Sequence, residues 1–107
     1  MSPRRFTLCA AAAAVLLSVA LGGPAAAATH VVTIDQMKYG DVPELKVGDT
    51  VIFVNKDMFR HTVTSSNKSF ELDLVPGARG SLHINSPGHA AFYCRYHPGM
   101  RGSMSAK

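Results

Sequence analysis

The chain alternates short β-branched and aromatic runs with Gly- and Pro-containing turns, and that pattern confines it to an all-β sandwich or barrel. "HVVTID" (residues 30–35) and "TVIFVN" (residues 50–55) carry the side chains that pack on a pleated surface. "HTVTS" (residues 61–65) and "FELDL" (residues 70–74) alternate with period two, as half-buried strands do. "SLHI" (residues 81–84) and "HAAFYC" (residues 89–94) read as two more strands, and the segment after Gly102 as a last one. Between them, "VGD" (residues 47–49) and "NSPG" (residues 85–88) are turns and "VPGARG" (residues 75–80) is a loop. No segment sustains a helical period, and no internal repeat or low-complexity tract is present.

The N-terminus has a different character. Arg4 and Arg5 precede an apolar stretch at residues 8–21, and Ala26, Ala27 and Ala28 form a small-residue cleavage region. This is the layout of a secretory signal. The apolar stretch is shorter than the ~20 residues a membrane helix needs. The expected organisation is therefore a signal peptide at residues 1–28, cut after Ala28, and one domain at residues 29–107 with no membrane span after processing. Arg4-Arg5 hints at twin-arginine export without deciding the route.

A domain this small builds a marginal core and benefits from a staple such as a disulfide or a metal. Cys9 leaves with the signal, so Cys94 has no intramolecular disulfide partner. An unpaired cysteine in an oxidising compartment is a liability unless it is buried or ligated. Residues 29–107 hold nine Lys and Arg against seven Asp and Glu, and no basic run with interleaved aromatics. That balance argues against a nucleic-acid partner.

The chemistry concentrates in "FYCRYHPGM" (residues 92–100), where Cys94, His97 and Met100 follow a strand into a Pro-Gly turn. Such a turn can bring three side chains of one loop to a common centre. Thiolate, imidazole and thioether together suit copper cycling between two oxidation states, whereas zinc prefers Cys and His without a thioether. A trigonal site of two imidazoles and a thiolate with a distant thioether needs one more histidine. His61 is the best candidate, at the start of a strand 33 residues before Cys94.

Other readings of these residues stand beside this one. Cys94 alone would be a buried structural thiol, or a nucleophile paired with a histidine in a small cysteine hydrolase. Met104 competes with Met100 for the axial position. His30, His83 and His89 read as strand residues facing solvent or satisfied by neighbours. The absence of a His-x-His pair leaves a trinuclear copper cluster without ligands. The single remaining cysteine excludes a dinuclear copper centre, and the lack of Cys-x-x-Cys-His excludes c-type haem.

The chain resembles the blue copper proteins, or cupredoxins, and among them the amicyanins. The matching pieces are "MKY" (residues 37–39), "PEL" (residues 43–45), "KVGDTV" (residues 46–51), Asn55 six residues before His61, and "HPGMRG" (residues 97–102). The resemblance implies a small, trimmed Greek-key β-sandwich holding one type 1 copper, with His61, Cys94 and His97 as equatorial ligands and Met100 as the axial one. It implies a periplasmic, monomeric one-electron carrier rather than an enzyme. Its partners would be redox proteins that dock transiently, a periplasmic dehydrogenase or a c-type cytochrome. A copper carrier or buffer without electron traffic is the alternative, served by the same soft ligands. Met37, Phe59 and Pro98 would form an apolar edge around His97, with Arg60, Arg95 and Arg101 either as a basic collar able to steer acidic partners or as a solvated rim. Three departures from the family pattern are visible: a shortened stretch between His61 and Cys94, Thr62 in place of Asn, and Arg95-Tyr96 in place of Thr-Pro. The last two fall among the groups that tune potential and partner choice.

Overall fold

In a computed structural model, which describes residues 26–107, eight strands form two four-stranded sheets. The expected signal segment lies almost wholly outside the described residues. The strands are β1 (Thr29–Asp35), β2 (Lys38–Tyr39), β3 (Thr50–Asn55), β4 (His61–Ser65), β5 (Glu71–Leu74), β6 (Arg79–His83), β7 (Gly88–Tyr93) and β8 (Arg101–Ala106). One sheet runs β2-β1-β3-β6 and the other β5-β4-β7-β8. β1 and β3 pair in parallel, and the other pairs are antiparallel. The chain changes sheet between β3 and β4, between β5 and β6, and between β6 and β7, which gives the expected Greek-key sandwich.

The core lies between the sheets. Val32 and Ile34 of β1, Val51 and Phe53 of β3, Val63 of β4, and Phe92 of β7 point into it and are almost wholly excluded from solvent. Tyr39, Phe53 and Phe92 meet edge to face, with the Tyr39 and Phe92 rings 4.8 Å apart at 83°. Such aromatic packing adds to the area the rings bury. Phe92 lies opposite Gly102 across the β7–β8 pair, and a Cβ at Gly102 would stand 2.5 Å from the Phe92 ring. The glycine of "MRG" is therefore the space that the central core aromatic occupies.

Two features depart from the sequence reading. β6 begins at Arg79, inside the stretch read as loop, because Arg79 and Gly80 pair with Val54 and Phe53. A side chain at Gly80 would press on Leu72 and Leu74 at 3.1–3.3 Å, so the residue that looked like a turn signal is a close-packing position. β2 was missed because two residues are too short to show a period. It closes a tight hairpin with β1 through Gln36 and Met37, at φ 52° and 63°. Both positions prefer Asn or Gly, and two bulkier residues hold the turn at a conformational cost of about 1–2 kcal/mol each.

Candidate metal centre

The candidate centre forms at one end of the sandwich, where β4 begins and β7 ends. The β4–β7 ladder stops at Thr64 and Tyr93. Beyond it Thr62 makes the connection in another way. Its backbone N–H donates to Cys94 Sγ at 3.3 Å, and its Oγ1 accepts the Arg95 N–H at 2.9 Å. Thr62 thus braces the cysteine loop with its own backbone and hydroxyl. The hydroxyl has its own support, since Thr64 Oγ1 lies 2.9 Å from it and donates onward to Glu71 at 2.7 Å.

The ligand loop folds back through a type II turn. Met100 N–H donates to the His97 carbonyl at 3.0 Å, with Pro98 second and Gly99 third at φ 100°. Proline presets the first corner, and glycine accepts the positive φ of the second. Cys94 N–H then donates to the Met100 carbonyl at 3.0 Å, which closes the loop on itself. Met100 is buried in the core cluster beneath it. Met104 of β8 is buried too, but it pairs with Ala90 of β7, four residues before Cys94. That separation is about 13 Å at the rise of a strand, so Met104 is a core residue.

His61, Cys94 and His97 bring one donor atom each to within 4.8 Å of one another. His61 and Cys94 are fully buried, and the His97 ring lies 4.8 Å from that of His61. Each imidazole is oriented by its outer nitrogen. His61 Nε2 lies 2.8 Å from the Asp57 carboxylate, and His97 Nε2 lies 3.1 Å from the Arg60 carbonyl. Both partners only accept, so each Nε2 carries the hydrogen and each Nδ1 keeps a free lone pair. His61 Nδ1 stands 3.8 Å from Cys94 Sγ. Bonds of about 2.3 Å to sulfur and about 2.0 Å to nitrogen, at a trigonal angle, put those two atoms about 3.7 Å apart. The residues fit a small transition-metal ion, and a thiolate with two imidazoles beside a buried thioether suits copper in particular.

Two residues fasten the segment that leads into His61. Asn55 is fully buried; its Nδ2 donates to the carbonyls of Phe59 (2.7 Å) and Leu74 (2.9 Å), and its Oδ1 accepts the Asp57 N–H at 2.9 Å. Asp57 also accepts the Met37 N–H at 3.0 Å, tying the strained β1–β2 turn to the site. These bonds hold the Asp57 carboxyl below its ordinary range, the one from His61 foremost. The Tyr39 hydroxyl donates to the Thr62 carbonyl from the opposite sheet. Burial pushes that hydroxyl well above the ordinary tyrosine range.

Solved structures share this arrangement. An oxidised amicyanin carrying one substitution is 31% identical, with a TM-score of 0.64 over 73% of this chain and 81% of its own. A Cu(I) amicyanin variant is also 31% identical, with a TM-score of 0.62 over 74% of this chain and 82% of its own. The chain belongs to the cupredoxins, the blue copper proteins. A copper-containing nitrite reductase from Thermus scotoductus SA-01 is 28% identical, with a TM-score of 0.65 over 83% of this cupredoxin and 25% of the reductase. No protein-family model and no curated protein sequence matches the chain.

The surface around this cupredoxin's site corrects one expectation. Met37 and Phe59 are exposed, the Phe59 ring 6.0 Å from that of His97, and Met58 is more exposed still at 78%. Pro98 is exposed beside them. Two of the three collar arginines, Arg60 and Arg95, are not free positive charges. Arg60 makes two 2.8 Å bonds to Asp73, and Arg95 pairs with Glu71 and reaches Asp73 at 3.6 Å. Tyr96 lies between the two guanidinium groups, 5.1 and 5.2 Å from them, and donates its hydroxyl to Asp73. The acids arrive from β5, whose Asp73 and Glu71 sit opposite Thr62 and Thr64. The arginines hold both carboxyls below their ordinary range. A linear reading of the ligand loop sees Arg95 without this neighbouring strand.

Sequence reasoning missed Asp57, Met58 and the Glu71–Asp73 pair. Asp57 had a readable signal, since a carboxylate four residues before a candidate ligand can reach its outer nitrogen. His30, His83 and His89 stand away from the centre, hydrogen-bonded to or beside Asp49, Thr50 and Ser105 respectively.

Proposed function

We propose that this cupredoxin is an exported, periplasmic one-electron carrier with one type 1 copper held by His61, Cys94, His97 and axial Met100. The observation that carries the reading is the pair of histidines whose outer nitrogens are both engaged, leaving two Nδ1 lone pairs beside a buried, unpaired Cys94. Copper would supply the one-electron couple.

The rest belongs to the chain. Cys94 would hold the ion as a thiolate, and the Thr62 N–H donated to its sulfur would stabilise that charge. His61 is locked by Asp57 and has no solvent exposure, so it fixes one side of the site. His97 lies at the protein edge among Phe59 and Pro98, and this position supports its role as the electron's point of entry and exit. Strand ends and a closed type II turn hold all these donors, so little rearrangement would accompany a change of oxidation state.

The partners would be a dehydrogenase or a c-type cytochrome that docks transiently on the exposed Met37, Met58 and Phe59 surface, with the carrier a monomer. Reconstitution of the exported protein with Cu(II) tests this reading. An intense visible band that bleaches on one-electron reduction and returns on reoxidation supports the carrier. A colourless protein that binds Cu(I) and hands it to a chelator without redox change overturns it in favour of copper delivery.

A further inference from the structure

Hydrogen bonds to the sheet extend to Ala28, the residue before β1 and before the expected cut. Ala28 N–H donates to Asp49 Oδ1 at 2.9 Å, and the Ala28 carbonyl accepts the Thr50 N–H at 2.9 Å. Asp49 is 3% exposed. Its other oxygen lies 2.9 Å from His30 Nε2 and accepts the Lys46 N–H at 3.0 Å. These partners hold the Asp49 carboxyl near 2, the Ala28 N–H first among them and His30 second. A carboxylate this enclosed is best satisfied by a counter-charge as well as by hydrogen bonds. The structure places one backbone nitrogen, that of Ala28, where a chain terminus would supply such a charge without any movement.

The Ala-rich stretch permits more than one cut. Cleavage after Ala28 puts Ala26 and Ala28 at the two small-residue positions, and cleavage after Ala27 puts Ala25 and Ala27 there. The first would remove both hydrogen bonds of Ala28 and leave Asp49 Oδ1 without its donor. A cut further upstream would leave Ala26 and Ala27, both exposed, as a tail and keep the Ala28 nitrogen an uncharged amide.

We infer that the processing site is the Ala27–Ala28 bond and that the new terminus of Ala28 forms a part-buried ion pair with Asp49. A peptidase adds water across that amide. The water oxygen goes to the Ala27 carboxylate, and both hydrogens go to the Ala28 nitrogen, which becomes an ammonium. His30 then borders a paired charge rather than a lone one, and the N-terminal strand is anchored by a bond that only correct processing creates. The inference rests on the export part of the proposed function.

Intact mass and N-terminal sequencing of the protein recovered from the periplasm test it. A chain beginning at Ala28 is the expected result. A chain beginning at any residue other than Ala28, or an unprocessed chain, overturns the inference and leaves export standing, and a protein absent from the periplasm overturns both. Chains prepared with defined termini give a second reading. The chain starting at Thr29 should melt at least about 4 °C below the one starting at Ala28. Acetylation of the Ala28 amine, which keeps one N–H and removes the charge, should lower the midpoint by part of that difference. Equal midpoints for the free and acetylated Ala28 chains overturn the ion pair.

Discussion

Replacing Asn55 with alanine should unfasten the segment that delivers His61 while leaving every candidate ligand in place. The Asn55 side chain makes three hydrogen bonds, two donated to the Phe59 and Leu74 carbonyls and one accepted from Asp57 N–H. At about 1 kcal/mol net for each bond, the loss is about 3 kcal/mol. A domain of this size is stable by roughly 4–12 kcal/mol, so the substitution removes a quarter or more of the total. The corresponding fall in melting temperature is about 12–24 °C. Urea denaturation of the metal-free protein, followed by tyrosine fluorescence, measures it without interference from copper. Asn55→Asp sharpens the test, because it keeps the acceptor but turns the donating nitrogen into an oxygen facing two carbonyls. It should be at least as damaging as alanine. A loss below about 1 kcal/mol for Asn55→Ala would refute the idea that this side chain holds the loop.

Gly102→Ala should cost about 1–3 kcal/mol by forcing the Phe92 ring to move, measurable as a fall in the urea midpoint; an unchanged midpoint contradicts the close packing at that position. Stability should fall in acid as Asp49 is protonated. Its folded value near 2 lies below its ordinary 3.8, so its contribution is complete above about pH 4 and lost as pH falls through 2, and in Asp49→Asn that part of the acid transition should disappear. The paired arginines predict weak electrostatic steering: the association rate with a redox partner should change little between low and moderate salt, and Glu71→Gln with Asp73→Asn should introduce a steep salt dependence toward acidic partners. Met100→Leu should keep the visible band and raise the reduction potential, because a lost thioether donor disfavours the oxidised ion, whereas Met104→Leu should leave the potential unchanged.

The strands were legible wherever a run was long enough to show its period. β3 and β4 fall where the alternation and β-branched content place them, at Thr50–Asn55 and His61–Ser65. β2 was invisible because two residues carry no period, and the start of β6 was hidden because Gly80 signals a turn and a close approach equally well. In the centre, the spacing of Cys94, His97 and Met100 around a Pro-Gly corner announced one loop folding on itself. His61 was found through the need for a second imidazole. The supporting residues were not legible, because they depend on pairing between segments far apart in sequence. Asp73 reaches Arg60 only because β5 lies beside β4, and Met37 reaches Asp57 only because a strained hairpin leans on the β3–β4 loop. For the same reason Arg60 and Arg95 read as part of a collar in the sequence and are half of a neutral cluster in the fold.

The central claim is that His61, Cys94 and His97 hold a copper ion through a thiolate. The most direct test is the visible spectrum of the protein reconstituted with Cu(II), beside Cys94→Ser treated identically. An intense band that is abolished in Cys94→Ser and bleaches reversibly on reduction is the predicted result. A band of equal strength in the serine variant, or none in either protein, would contradict the account.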